Sequence, residues 1–310
     1  MKRAGRIALA QQLHAGLNKL KEELAMPGLV TAAHQEVLVQ QLIDSIRRIR
    51  FVTILRERSV DAVCADPNSD AFDPIKGASY LFRQGCLNEA CWLSFLAIHF
   101  GKNKKSKWSL IKSVYGGLGD QVWSWEVVTN RFDAFDKWLS ANYSRFVGAY
   151  GNHRKYESVR PDAERSPAKI FGSYIDWVGC GHDHSARFQV ACQTANNDPI
   201  ESFDILYRSL GTVVSFGRTT RFDYLTMIGK LGLANIVPGK TYLDGATGPK
   251  KAAKLLFGEN ANNRFSIQDL DKKLAMLHAA LPLGVMGMQV LEDALCNWQK
   301  APDRYALFKG

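Results

Sequence analysis

Apolar residues recur along this chain at three- and four-residue intervals, the spacing that places them on one stripe of an α-helix. Leu9, Leu13, Leu17 and Leu20 open the pattern, and Leu38, Leu42, Ile46 and Ile49 mark one face of a long helix ending before Pro67. The basic run Arg47-Arg48-Ile49-Arg50 lies on that helix's other flank. Asn88 predicts an N-cap for a helix from Glu89 to Phe100, with Trp92, Leu93, Phe95 and Leu96 on its buried face and Gly101 at its end. Further helices are predicted at 132–143, at 167–178 behind Ser166, at 199–210 behind Asp198, and at 219–233. Ser266 with Asp269 three residues on reads as a capping box for a helix carrying Leu270, Leu274 and Leu277. A last helix runs from Gly287 to Trp298. Strand signals are confined to 188–192 and 212–216, both short enough to be a turn of helix or a loop. The reading is all-α, and the polar, proline-bearing stretch 158–166 divides an N-terminal helical region (1–160) from a C-terminal one (161–310).

Charge narrows the partner. Lys and Arg total 40 against 30 Asp and Glu, a net charge of +10, and the excess is dispersed through a chain that is 46% hydrophobic. A basic surface on a folded domain points to a polyanion, with nucleic acid as the default. There is no run of eighteen apolar residues and no lipidation signal, so no membrane partner is expected. Six cysteines without framework spacing fit a reducing, cytoplasmic setting.

The most specific local signal is Asp244-Gly245-Ala246-Thr247-Gly248-Pro249-Lys250-Lys251. Two glycines permit a tight turn and close approach to a ligand, and proline suits the first turn of a helix. The helix N-terminus, flanked by Lys250 and Lys251, then faces an anion, as a clamp on the DNA backbone would. With 219–233 before it, the segment reads as a helix-hairpin-helix. Three other clusters carry polar chemistry. Cys180-Gly181-His182-Asp183-His184 with Cys192 offers zinc-type ligands, but its spacing matches no finger, and no metal or cofactor is assigned. The loop 151–157 combines an amide (Asn152), cations and Tyr156, suited to reading a base, holding phosphate and stacking, or equally to a plain surface loop. On the last helix Gln289, Glu292, Asp293 and Cys296 make a polar stripe among Val290, Leu291, Leu295 and Trp298. A carboxylate there has either a partner or a task. The lysine-rich loop 102–107 before Trp108 reads as a solvated loop whose indole packs back into the core.

Taken in order, 99–102, 151–158, 173–177, 217–225, the 245–250 hairpin and 289–298 resemble the alpha-glutamyl/putrescinyl thymine pyrophosphorylase family, clade 3, from about residue 70 onward. That resemblance implies a helical protein akin to helix-hairpin-helix DNA glycosylases, acting on hypermodified pyrimidines in phage double-stranded DNA. It implies either installing or excising such bases; the leading expectation is excision of a flipped base such as glucosylated 5-hydroxymethylcytosine by a monofunctional DNA N-glycosylase, serving antiviral defence, with no cofactor or obligate protein partner expected. The alternatives are a base-hypermodifying transferase that displaces pyrophosphate and needs an amine, and a non-catalytic DNA-binding module. On the glycosylase reading Asp293 is the catalytic carboxylate, with Gln289 and Asn152 reading the base and Tyr156, Trp298, His153 and Glu292 around it. Gly245, Thr247, Gly248, Lys250, Lys251, Arg218 and Arg221 take the phosphates. Glycosylase spacing beyond the hairpin nominates Asp269 or Asp271 instead.

Overall fold

The computed structural model describes residues 3–260 and 263–307 and contains fourteen α-helices and no β-strand among them. The expected all-α class is what the chain adopts. Two compact units form. One comprises the residues up to Phe51 together with those from Val237 onward, and the other comprises Val52–Ile236. Residue 160, where the sequence suggested a division, lies inside the second.

The first unit holds α1 (Arg3–Leu20), α2 (Ala32–Thr53), α12 (Gly248–Phe257), α13 (Ile267–Ala280) and α14 (Gly287–Trp298). Its core is aliphatic: Leu13 and Leu17 of α1, Leu38, Leu42 and Ile43 of α2, Leu256, Leu270, Leu274, and Val290 and Leu295 of α14 are all buried. Each residue comes from the i, i+3, i+4 stripe of its own helix, so burying that stripe holds the helices together. Ser266 and Asp269 form the capping box at α13 that the sequence called for.

The second unit holds α3 (Pro74–Arg83), α4 (Leu87–Phe100), α5 (Ser109–Tyr115), α6 (Trp125–Asn130), α7 (Phe132–Asn142), α8 (Pro167–Val178), α9 (His184–Thr194), α10 (Pro199–Ser209) and α11 (Arg218–Leu231). Here the core is aromatic. On α4 Trp92 and Phe95 stack 5.3 Å apart, and Phe95 lies 3.9 Å from Tyr174 of α8 and 5.4 Å from Phe216. Asp198 caps α10 through its side chain as expected, whereas Ser166 occupies the N-cap of α8 without a side-chain bond. Asn88 is not the cap of α4. The helix begins two residues earlier, at Leu87 behind Cys86, and the Asn88 side-chain Oδ1 accepts the backbone N–H of His184 instead, 2.8 Å away. Trp108 is buried and donates its indole N–H to Asp73, so the lysine-rich loop is a solvated turn and the indole belongs to the core.

Candidate functional site

The glycine hairpin and the polar C-terminal helix come together in the first unit. Leu243 is fully buried and anchors the turn, whose closing bond runs from the Ala246 N–H to the Leu243 carbonyl. Gly245 has φ of +70°, a conformation that a side chain resists. α12 then starts at Gly248 with Pro249 buried in its first turn, and the Thr247 hydroxyl makes no capping bond. The first-turn N–H groups therefore keep their capacity for an anion, and Lys251 is exposed beside them.

Gly248 has a second role. A Cβ there would lie 2.7 Å from the Cys296 sulfur, so only glycine lets the start of α12 sit directly on α14. Cys296 is three positions from Asp293, one turn along the same helix. Asp293 in turn faces α2: its Oδ2 accepts the Ser45 hydroxyl at 3.1 Å and lies 3.7 Å from an Arg48 nitrogen, while the side chain stays 30% exposed. One turn toward the N-terminus, Gln289 is buried and its Oε1 has no hydrogen-bond partner among the described residues. A buried amide oxygen without a donor is costly, and a ligand N–H would satisfy it. Glu292 is half-buried beside Asp293 on the same helix.

Ser45 and Arg48 were missed by reading the chain segment by segment. Their signal lay in α2, where Gln41, Ser45 and Arg48 recur at helical spacing beside the apolar stripe and make a polar seam. Arg48 belongs to this seam rather than to a purely solvated basic flank.

The other carboxylates near the hairpin differ from one another. Asp269 is exposed, and the Ser266 hydroxyl and backbone of its capping box hold its carboxyl below the usual range. Asp271 is half-buried. Burial pushes its carboxyl up against the opposing pull of Lys240, and its Oδ1 is buried without a hydrogen-bond partner among the described residues.

Trp298 requires a correction. It is completely buried and donates its indole N–H to the His34 carbonyl at 3.0 Å, so its ring packs in the core and offers no face to a base. The remaining sequence-nominated residues belong to the second unit. Asn152 and His153 lie on a short 3-10 turn that docks on the end of α4, where a Cβ on Gly151 would come 2.9 Å from Gly101. Arg154 of that turn is buried, bonded to the Ile98 carbonyl and paired with Asp223 at 3.5 Å, which makes it a structural cation rather than a phosphate ligand. Tyr156 is 79% exposed, with the Lys155 ammonium 5.0 Å from its ring centre. Arg218 lies over Phe222, and Arg221 lies over Tyr207 at 4.5 Å while donating to the Tyr207 carbonyl. The helix-hairpin-helix partner expected for α12 is α11, which belongs to the second unit, and the connection between them runs from Gly232 to Thr247. His184 of the histidine–cysteine cluster is buried and hydrogen-bonded to Asn88 and Tyr174.

Neither the curated proteins nor the solved structures give a match to this chain. A family model does, over residues 33–310, which takes in the long second helix that the motif resemblance left unassigned. With nearly the whole chain matched, the protein belongs to the alpha-glutamyl/putrescinyl thymine pyrophosphorylase family, clade 3.

Proposed function

We propose that the protein is a DNA N-glycosylase that excises a hypermodified pyrimidine, such as glucosylated 5-hydroxymethylcytosine, from phage duplex DNA, and that it serves antiviral defence. The observation that carries this reading is the contact of Gly248 with Cys296, which joins an anion-ready helix start to the helix bearing Asp293. The family name adds an enzyme acting on modified thymine. In the proposed reaction water adds hydroxyl to the sugar C1′ as the N-glycosidic bond breaks, the base leaves with a proton, and an abasic site remains. Asp293, positioned by Ser45 and Arg48, stabilises the positive charge that develops on the sugar or takes the proton of the attacking water. Gln289 offers its unpartnered oxygen to an N–H of the flipped base, assisted by Glu292. Gly245, Thr247, Gly248, Lys250 and Lys251 take phosphates.

A second reading is favoured by the family description itself: a pyrophosphorylase-type transfer that displaces pyrophosphate from an activated hydroxymethyl-pyrimidine in favour of an amine. Incubating the protein with duplexes containing thymine, 5-hydroxymethyluracil, 5-(pyrophosphoryloxymethyl)uracil, 5-hydroxymethylcytosine or its glucosylated form, with and without an added amine, followed by alkali and mass analysis, separates the two. Free modified base and an alkali-labile strand support excision. A mass gain in DNA that requires an added amine supports transfer and overturns excision.

A further inference from the structure

The second unit contains a cleft of about 870 Å3 that none of the roles above uses. It is lined by the end of α3, the first turn of α4, α6 and the segment leading into α9, and neither Lys nor Arg is among its lining residues. In a chain of net charge +10 that is a local exception, and it makes the cleft a poor seat for phosphate.

Most of its polar groups are already oriented by the protein. Glu89 is held through both oxygens, Oε1 accepting the Tyr115 hydroxyl and Oε2 the Trp125 backbone N–H, each at 2.7 Å. Burial pushes its carboxyl up, toward the neutral form. Asp183 caps α9 by accepting the Ser185 N–H. Asn88 is fixed from behind. Because a backbone N–H can only donate, the Asn88 atom facing the His184 N–H is the carbonyl oxygen, and the same oxygen lies 2.9 Å from His184 Nδ1. Nδ1 must therefore carry the ring proton. Burial drives the His184 pKa down to about 3, so the ring is neutral and Nε2 accepts from the Tyr174 hydroxyl, which in turn accepts from Tyr224. This buried chain spends the Asn88 oxygen and leaves its NH2 for the cleft.

The result is a wall of fixed donors and acceptors, with the Glu89 and Asp183 carboxyl groups engaged by the protein and Glu126 exposed at the surface. Phosphate finds no counter-charge there. A small cation finds no convergent cage, since no group of three metal-type ligands forms among the described residues. We infer that this cleft binds a neutral polyhydroxylated ring, a saccharide, through the Asn88 amide, Glu89 and Glu126. The inference concerns the cleft's ligand and does not rest on base excision.

The test is saturation-transfer NMR on the full chain with methyl α-glycosides of glucose, galactose and mannose, and with 1,4-diaminobutane and inorganic phosphate as contrasting probes. At least one glycoside is expected to bind, and Asn88→Asp is expected to weaken it tenfold or more. That change keeps an oxygen for His184 but replaces the NH2 donor with an acceptor. Glu126→Gln, at an exposed position, is the second variant and is expected to weaken binding several-fold while thermal unfolding stays unchanged. Binding of the diamine alone, of phosphate alone or of no probe overturns the inference, as does glycoside binding indifferent to both substitutions.

Discussion

Two polar clusters, one in each unit, handle burial in opposite ways. In the aliphatic unit the polar seam between α2 and α14 leaves capacity unspent: Asp293 is partly exposed beyond its contacts with Ser45 and Arg48, and the Gln289 oxygen has no donor. In the aromatic unit the chain from Asn88 through His184 and Tyr174 to Tyr224 uses each of its acceptors internally. Buried polar groups that are satisfied rigidify and specify a core, whereas an unsatisfied one beside a partly exposed carboxylate leaves bonding capacity that a ligand can use. The first arrangement therefore reads as reactive and the second as a scaffold.

The sharpest way to break that contrast is at Asp293. Asp293→Asn preserves size and can still accept from Ser45, so the fold and DNA affinity should hold to within about twofold. Turnover should fall by about 10² to 10⁴, the range for losing a positioned carboxylate acid–base group. Single-turnover excision assays beside a DNA-binding titration check both halves, and unchanged turnover would move the chemistry to Asp269 or Asp271.

The scaffold side of the comparison predicts a pH response. His184 and His99 are both buried, and burial drives each to a folded pKa of about 3, with Arg154 adding to the effect at His99. The unfolded chain takes up protons near pH 6.5 while the native rings stay neutral, so the stability these groups contribute is full above that pH and is lost as pH falls toward 3. By pH 5 the loss is about 2 kcal/mol for each histidine. Glu89 acts in the opposite sense, since a raised folded pKa favours the native state as protons are added. Urea unfolding at pH 7 and pH 5 should show the net loss, and His184→Gln should make the dependence shallower. Equal slopes for the two proteins would mean that His184 is not held neutral.

Close packing gives a smaller effect. Gly248→Ala places a methyl 2.7 Å from the Cys296 sulfur and should cost about 1–3 kcal/mol in unfolding free energy. Cys296→Ala removes that sulfur, so the double variant should recover much of the loss. Strict additivity in a double-mutant cycle would show that the two helices do not meet there.

How much of this was legible in the sequence depends on range. Helix positions, the caps at Asp198 and Ser266, and the start of α12 behind two glycines are local matters of periodicity and capping, and the chain states them openly. Asn88 misled because a good capping residue also makes a good tertiary acceptor, and its partner His184 is distant in sequence. Trp298 misled for a related reason: an indole beside a polar stripe serves a ligand or a core equally well until its N–H is seen bonded to His34. Ser45 and Arg48 join Asp293 only through tertiary packing, so the α14 stripe showed that a partner was needed without saying which. The bonding that fixes Asn88 against the cleft was the least visible of all, because Tyr174 and Tyr224 read as ordinary core aromatics until their hydroxyls are placed.

The mildest test asks whether the reactive unit also grips DNA. Lys250 and Lys251 flank an uncapped helix start in the unit that carries Asp293, and each neutralised phosphate steepens the fall of log affinity with log salt concentration by about 0.9. Replacing both lysines with alanine should therefore make that slope shallower by about 2 and weaken binding uniformly across sequences, with little effect on the excision rate of bound substrate. An unchanged slope would leave the hairpin as a packing element whose glycine serves Cys296 alone. DNA contact would then have to come from the second unit, where Arg221 is already held by Tyr207 and Arg154 by Asp223, and the exposed Lys155 and Tyr156 would be the next residues to replace.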